Sequence, residues 1–325
     1  MNKRERVLAA LEGRRPDQLP FTMWRHVYFQ AQTARGLARS TLDFYRRYDP
    51  DLIVLTPGPY HMAEAWGAQV RSFSTDDVAP YLAEPTVARA TDWRRLPELN
   101  LPVCSLQREI EAVRQIRAEP TSEDAPLIVP LFSPLTTADL LCNGRIVQDM
   151  RSYSNDLRSA LGVIAAGTIQ YALACLAAGA DGFIFVIHLA SSERIRSREQ
   201  RDFGQRFDLQ VLSALDQAAI RILHLAGEHA DFALADRYPV QAVCWDTWRA
   251  DPSLRDACRQ VRCTLMGGLN PTTFVGGSRA DIRAQILDAV SQTEGWRLLI
   301  APSGPLPIES RDELLAAVRQ ILQEQ

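Results

Sequence analysis

Hydrophobic residues along the chain come in short runs that recur eight times between more polar stretches. The runs are rich in β-branched and aromatic residues and do not alternate strictly with polar positions. Such continuous runs predict strands that are buried on both faces, as in parallel sheets covered by helices. The predicted strands are 18–24, 51–56, 126–132, 182–187, 219–226, 240–245, 263–269 and 296–301.

Helical patterns fill intervals between these strands. The longest covers 155–180, places Leu157, Leu161 and Ile164 on one broad apolar face, and meets a stop signal at Gly179. Long amphipathic segments of this kind are typical of helices that pack on a sheet.

Two further helices carry start signals in the sequence. Asp251 followed by Pro252 is typical of an N-cap and the first helical position. Ser310 with Glu313 is typical of a capping box, and an apolar face at helical spacing follows it. Strand and helix therefore alternate along most of the chain.

This alternation predicts an α/β fold, a (β/α)₈ TIM barrel, in a single domain over 1–325. A doubly wound open sheet is the alternative, but no glycine-rich dinucleotide turn follows the first strand. Region 67–120 lacks the regular pattern and predicts an irregular insertion between strands two and three.

Composition narrows the class of protein. With 46% hydrophobic and 23% charged residues and a net charge of −3, the chain is typical of soluble globular proteins. The charge gives no basic surface for nucleic acid or an anionic membrane. No window approaches 18 uninterrupted apolar residues, and the charged N-terminus does not resemble a signal peptide. Six cysteines without paired spacing indicate reduced thiols, so we expect a cytoplasmic protein.

Polar residues follow the predicted strands where barrel enzymes place their active sites, at the carboxyl ends. Arg25 and His26 follow strand one, His188 strand four, His224 strand five and Asp246 strand six. All five histidines of the chain fall at or just past a strand end, and histidine suits proton transfer near neutral pH. The sequence therefore predicts a working site at one mouth of the barrel.

We interpret the strand-end residues by role. The candidate catalytic residues are His224, Asp246 and His188, and the candidate substrate-binding residues are Arg25, His26, Tyr60, Ser303, Gly268 and Asn270. Gly268 and Asn270 belong to a turn that can accept an anionic group, as barrel loops after strands seven and eight often do. Each single histidine can instead be hydrogen-bonded scaffolding, and Arg25 a salt bridge. We expect His61 and His229 at the surface or rim, and the loop arginines of 194–201 in solvent.

A series of motifs then resembles one family along residues 3–322. The motifs, in chain order, are RERVLAALEGRRPDQLPF, AEAWG, FSPLTTADLL, AGADGFIFVIH, ILHLAG, CWDTWRADP, MGGLNPTTF and APSGPLPIESRDELLAAV. Their order resembles the uroporphyrinogen decarboxylase (URO-D) superfamily. The resemblance implies a (β/α)₈ barrel. It also implies either cofactor-free decarboxylation or zinc-dependent methyl transfer to or from corrinoids and thiols.

The match to the decarboxylases is incomplete. Arg25, His188 and Asp246 stand at family positions, whereas Thr56 stands at the position of the aspartate that holds the pyrrole N–H groups. Ser303 stands at the position of the family's late histidine. Without the aspartate, no carboxylate balances the charge of a protonated pyrrole, which argues against ordinary decarboxylation.

The match to the zinc methyltransferases is also incomplete. The segment 224–227 resembles their His-x-Cys-Gly motif, but Ala226 and Ser303 replace the two cysteines. Thiolates make such a site bind zinc, so we expect no metal site. If zinc were bound through other ligands, the nearby candidates are His188, His224 and Glu228.

Three hypotheses follow from the resemblance. The first is metal-independent, methyltransferase-like chemistry on a corrinoid-linked or small anionic methylated substrate. It implies no tightly bound cofactor, a corrinoid as candidate co-substrate and a corrinoid protein as candidate partner. The alternatives are a decarboxylase-like carboxy-lyase of tetrapyrrole (heme) biosynthesis with altered acid groups, and a non-catalytic tetrapyrrole or corrinoid binder. A homodimer is compatible with each of them.

Overall fold

The structure of the protein, a computed structural model, describes residues 1–191, 193–227 and 229–324. Its strands are β1 (Ile53–Val54), β2 (Gln69–Arg71), β3 (Tyr81–Glu84), β4 (Leu127–Phe132), β5 (Gly182–Ile187), β6 (Ile220–Leu225), β7 (Ala242–Trp245), β8 (Thr264–Leu269) and β9 (Leu298–Pro302). Seven of them form one parallel sheet in the order β1-β4-β5-β6-β7-β8-β9.

Helices follow the strands and alternate with them along the chain. They are α1 (Lys3–Leu11), α2 (Ala34–Tyr48), α3 (His61–Glu64), α4 (Gln107–Arg117), α5 (Pro134–Leu141), α6 (Ile146–Ser152), α7 (Ser154–Ala177), α8 (Ser197–Glu199), α9 (Arg206–Ser213), α10 (Leu254–Gln260), α11 (Thr273–Gly276), α12 (Arg279–Thr293) and α13 (Asp312–Gln323). A π-helical turn over Gln200–Gln205 joins α8 to α9.

The sheet curls into a barrel that the predicted first strand closes. Phe21 forms a parallel bridge with Ile300 of β9. The Thr22 N–H donates to the Ile300 carbonyl at 2.9 Å, and the Asp51 N–H donates to the Phe21 carbonyl at 2.8 Å. Residues near 20–25 thus lie between the two ends of the seven-stranded sheet. The predicted (β/α)₈ barrel is confirmed, with a first strand reduced to isolated bridges.

The continuous apolar runs are buried as predicted. Every residue of β5 and β8 is buried. Gly182 shows how closely the strands approach, because a Cβ there would lie 1.9 Å from the Ile220 carbonyl oxygen of β6. Any side chain at this position would push the two strands apart.

The predicted insertion between strands two and three is confirmed and contains ordered elements. β2 and β3 pair as an antiparallel hairpin. Later in the insertion, α4 packs against α2 and α7. The strands of the hairpin are too short and too polar to stand out as apolar runs, and so the sequence pattern did not reveal them.

Helix ends were predicted with mixed success. Gly179, with φ of +108°, follows the end of α7 as expected. The predicted N-cap Asp251 is wrong, because Ser253 caps α10 and its hydroxyl accepts from the Asp256 N–H at 3.2 Å. The predicted capping box at Ser310 is also wrong, since α13 begins at Asp312 after Arg311. Several residues that can cap a helix lie close together before α10 and before α13, so the sequence alone did not determine where either helix begins.

Helix α7 is long and apolar enough to cross a membrane by length and composition alone, and half of its most apolar stretch is buried inside the protein. Its buried residues include Leu157, Leu161 and Ile164, which were predicted to face the core. Its side chains pack on α4, α5 and α9, as those of a core helix do.

The closing segment is held by a buried carboxylate. Asp51 is fully buried, and its Oδ2 accepts from the Phe21 N–H at 3.1 Å. Its Oδ1 accepts from Arg6 Nη1 at 2.7 Å and from Arg319 Nη2 at 3.4 Å. One carboxylate therefore connects α1, the closing segment and α13.

We expect Asp51→Asn to lower the free energy of unfolding by about 3–5 kcal/mol, because two arginines would lose their buried partner. Asp17→Asn is the matched control, since Asp17 accepts from Nε of the same Arg6 at 2.9 Å but its side chain is 42% exposed. An exposed pair contributes about 1 kcal/mol or less. Urea unfolding of both variants measures the difference, and equal small losses would contradict this role for Asp51.

Candidate functional site

A cavity of about 320 Å³ opens at the carboxyl ends of the strands. Four of the five histidines line it, and we call His26, His61, His188 and His224 the histidine belt. The remaining wall is mostly apolar and includes Phe132. Among the described residues that line this cavity, none carries a carboxylate, an ammonium or a guanidinium group.

The belt follows the order of the strands around the barrel. His26 follows the closing segment, His61 follows β1 at the start of α3, His188 follows β5, and His224 lies near the end of β6. Phe132, the last residue of β4, fills the gap, with its ring centroid 5.0 Å from that of His61 and 5.3 Å from that of His188. Five consecutive barrel positions thus present an aromatic ring to one cavity.

His224 is held through one ring nitrogen. Its Nε2 lies 3.0 Å from the Ser303 carbonyl oxygen, and because a carbonyl only accepts, Nε2 carries the proton. Burial lowers the pKa of His224 to about 4, and the nearby His188 acts in the same direction. The Ser303 carbonyl and the charge of Asp246 oppose this shift but do not outweigh burial. The neutral ring therefore has a free lone pair at Nδ1.

His61 has the opposite tautomer. Its Nδ1 lies 2.9 Å from the Gly58 carbonyl oxygen and donates to it, which leaves the lone pair on Nε2. Nε2 is buried without a hydrogen-bond partner in the described part of the chain, although the Pro130 carbonyl also faces the ring. Burial is the main reason that the pKa of His61 falls to about 3.

His26 and His188 complete the belt. Burial lowers the pKa of His26 to about 4, while the Pro57 carbonyl favours the ring proton. Nδ1 of His26 is buried and has no hydrogen-bond partner among the described residues. His188 lies at the exposed edge of the cavity, and partial desolvation by the wall still lowers its pKa. Around neutral pH, the belt is therefore uncharged.

Arg25 is predicted to bind substrate, yet its guanidinium is engaged elsewhere. Its Nη1 lies 3.4 Å from the Ile308 carbonyl and 3.3 Å from the Ser310 carbonyl, and 4.0 Å from the Asp312 carboxylate. It lines a separate groove of about 330 Å³ together with Arg47. The structure does not bring Arg25 into the cavity of the histidine belt.

Asp246 and Ser303 lie beside His224. Asp246 is half-buried, and its carboxylate accepts from the Trp248 N–H at 3.0 Å. It acts on His224 through its charge. Ser303 contributes its backbone carbonyl to the site.

The other predicted substrate-binding residues have local contacts. Gly268, with φ of +100°, packs against α12, where a Cβ would lie 2.9 Å from the Ala289 Cβ. Asn270 folds its side chain over its own turn and accepts from the Thr272 N–H at 3.0 Å. Tyr60 lies directly before α3 and next to His61.

Sequence reasoning missed His61, which was expected at the surface or rim. It is 1% exposed and lies in the cavity wall at the first position of the short helix α3. The sequence did hold a signal for His61, because every histidine of the chain lies near the end of a predicted strand.

His229 is exposed as expected, and the loop residues Arg194 and Arg198 also face solvent, with side chains 49% and 86% exposed.

The donor chemistry at the mouth does not fit a zinc ion. Ala226 and Ser303 replace the cysteines that the resemblance requires, and a serine hydroxyl is a poor zinc ligand compared with a thiolate. Over residues 1–191, 193–227 and 229–324, no three histidine, cysteine, aspartate or glutamate side chains gather as a metal site. Glu228, a candidate ligand from the sequence, lies outside the described residues.

The fold and the mouth cavity define a (β/α)₈ barrel protein, and comparison with known proteins gives its family. Residues 2–324 match the model of the family described as uroporphyrinogen decarboxylase (URO-D), and the chain belongs to this family. No curated protein matches the chain.

Solved structures share the fold over the whole chain. A methyltransferase from Methanosarcina mazei superposes with a TM-score of 0.86 at 18% identity, over 100% of this chain and 99% of the other. A B12-independent methionine synthase from a Shewanella species, in complex with selenomethionine, gives a TM-score of 0.58 at 13% identity and covers 95% of each chain. At these identities, the similarity concerns the fold.

The belt predicts a specific pH dependence. The unfolded chain protonates its histidines near their ordinary pKa of 6.5, whereas folded His26 and His224 do so near 4 and folded His61 near 3. The unfolded state thus binds more protons below pH 6.5, so stability falls as the pH falls from 6.5 towards 4. Urea unfolding between these values should show a smaller slope for His61→Phe than for wild type. An unchanged slope would show that His61 titrates normally in the folded protein.

Proposed function

We propose that this URO-D family member is a methyltransferase-like enzyme that acts on a small, mostly apolar substrate without a resident zinc. The observation that carries the proposal is the cavity itself. It measures about 320 Å³ and is lined by neutral imidazoles, with no charged side chain among its described lining residues. That volume is at the lower end of the range of about 300–1,000 Å³ for small-molecule sites.

His224 is suited to receive a proton during the transfer. As a nucleophile of the acceptor bonds to the methyl carbon, the bond between the methyl group and its former carrier breaks. The nucleophile's proton passes to His224, and the former carrier leaves with the electron pair of the broken bond and takes up a proton from the imidazolium. The Ser303 carbonyl and the Asp246 charge both favour the imidazolium that forms, because each raises the pKa of His224 against burial.

The uncharged wall favours a substrate without negative charge over the anionic substrate expected from the sequence. A carboxylate placed in the cavity would lose its hydration and meet only neutral groups, which is costly. The same reasoning weighs against the carboxy-lyase alternative, because a tetrapyrrole substrate carries many carboxylates. A corrinoid is too large for the cavity, so as a co-substrate it would approach from the mouth.

Substituting His224→Phe should reduce turnover at least about 100-fold, because general acid–base groups contribute about 10²–10⁴ in rate. The loss in unfolding free energy should stay at about 1 kcal/mol, as only the bond to the Ser303 carbonyl disappears. The assay is methyl release from methoxy, methylamine and thioether donors to a thiol or a corrinoid. His229→Phe, at the exposed histidine, is the control.

Two results would contradict this proposal. If the wild-type protein moves no methyl group from any donor in the panel, methyl transfer is excluded as its activity. A His224→Phe protein that unfolds would show that the ring is scaffolding. Tight corrinoid or porphyrin binding without turnover, unaffected by the substitution, would favour the non-catalytic binder.

We also expect purified protein to hold well under one zinc per chain, because the cysteine positions carry Ala226 and Ser303. Elemental analysis by mass spectrometry measures the ratio. The double variant Ala226→Cys/Ser303→Cys should gain zinc, which makes it a positive control for the assay. One tightly held zinc in the wild type would instead indicate ligands such as His188, His224 and Glu228.

A further inference from the structure

Asp208 is a buried carboxyl group that the proposed reaction does not use. It lies in α9, is fully buried, and its Oδ2 accepts from the Tyr238 hydroxyl at 2.7 Å. Its Oδ1 is buried without a hydrogen-bond partner in the described part of the chain. An ionised carboxylate in such a place costs free energy unless an opposite charge or several donors surround it. The packing around Asp208 therefore favours the neutral acid.

No charge among the described residues offsets the burial of Asp208. Helix α9 packs against α7, α5 and the π-helical turn. The titratable and charged groups on these elements and beside Tyr238 are Asp156, Arg158, Tyr171 and Cys175 of α7, Asp139 of α5, Arg201 and Asp202 of the turn, Arg206 of α9, and Arg237. None of them shifts the pKa of Asp208, which burial raises to about 8 while the Tyr238 hydroxyl opposes the shift.

Gln200, the first residue of the π-helical turn, completes this cluster. Its amide lies over Gly204, where a Cβ would be 2.7 Å from Gln200 Nε2, and it acts on the Tyr238 hydroxyl. Both Nε2 and Oε1 of Gln200 are buried without a hydrogen-bond partner among the described residues. Gln200 and Asp208 thus converge on one hydroxyl group. A carboxylate can only accept, whereas a protonated Asp208 adds an O–H donor to a cluster whose amide oxygen lacks one.

The cluster joins the segments that follow two neighbouring strands. Asp208 belongs to the chain after β5, and Tyr238 belongs to the chain after β6. The two segments also meet nearer the barrel mouth, where Ser191 and Ala230 form an antiparallel bridge and the Asp231 N–H donates to the Ala190 carbonyl at 2.9 Å. The strands β5 and β6 lead to His188 and carry His224, so this connection lies behind two histidines of the belt.

We infer that protonated Asp208, together with Tyr238 and Gln200, forms a proton-dependent latch that holds the segments after β5 and β6 together. Deprotonation would bury a charge without a partner and so favour separation of the two segments. The inference concerns the framework of the mouth and does not depend on methyl transfer.

The direction of the pH effect follows from linkage. When the latch is open, Asp208 ionises near its ordinary pKa of 3.8, whereas in the closed latch it ionises near 8. The closed state therefore binds more protons between these two values. Its stabilisation is complete below about pH 4 and is lost as the pH rises towards 8, by up to about tenfold in the opening equilibrium per pH unit.

Amide hydrogen exchange of the full chain, followed by mass spectrometry at about pH 5.5 and about pH 7.5, tests the latch. Asp208→Asn is the matched variant, because its amide oxygen still accepts from Tyr238 and its N–H₂ group is a donor at every pH. Taking the ratio of wild type to this variant cancels the intrinsic pH dependence of exchange and the titration of the histidines. For segments 188–199 and 226–238, this ratio should rise at least about tenfold between the two pH values. For α12 and α13 it should change less than about twofold.

Two further variants separate the proton from the hydroxyl. Asp202→Asn, in the same π-helical turn but with a side chain 41% exposed, should exchange like wild type. Tyr238→Phe removes the donor to Asp208, so both segments should exchange faster at both pH values and keep their pH dependence. The infrared difference spectrum between wild type and Asp208→Asn at neutral pH should contain the C=O band of a carboxylic acid.

Four results would overturn the inference. One is a carboxylate band in place of the acid band, which would mean that Asp208 is ionised in the folded protein. Another is a ratio of exchange rates that does not change with pH. An equal rise in α12 and α13 would show that Asp208 affects global stability and latches nothing locally. An Asp208→Asn protein that fails to fold would show that the fold requires the anion, because the amide has the shape of the neutral acid.

Discussion

The closure of the barrel by a short backbone segment is the constraint on which the rest of the structure depends. Residues near 20–25 make few strand-type pairs, and the fully buried Asp51 holds them in place through the Phe21 N–H and two arginines. His26 follows this segment directly, and so the position of one belt histidine depends on the closure. A carboxylate at the base of the barrel thus helps to shape the cavity at its opposite end.

Desolvation governs the chemistry of the mouth. Histidine titrates near pH 6.5 in water, but burial lowers the pKa of three belt rings to about 4 or below. His61 and His224 each donate their single ring proton to a backbone carbonyl, so the second nitrogen of each ring carries a lone pair. Histidines packed around an apolar cavity therefore produce an uncharged surface rather than a cationic one.

The departures from family positions are consistent with this surface. By the family resemblance, Thr56 stands at a carboxylate position and Ala226 at a thiolate position, and neither residue carries a charge. Arg25, retained at a family position, donates to backbone carbonyls of the loop after β9. The described residues that line the cavity thus include four histidines and no carboxylate, ammonium or guanidinium group.

The sequence by itself determined the barrel, because buried parallel strands require continuous apolar runs and these can be counted along the chain. It also determined that histidines gather at one mouth, since strand ends and histidine positions coincide. Only the tertiary structure decided which nitrogen of each ring keeps a lone pair, as that depends on the carbonyls of Gly58 and Ser303, which lie 3 and 79 residues away. It likewise decided that His61 is buried and that Arg25 points elsewhere. Side-chain direction and desolvation arise from packing between distant segments, and a linear pattern does not contain them.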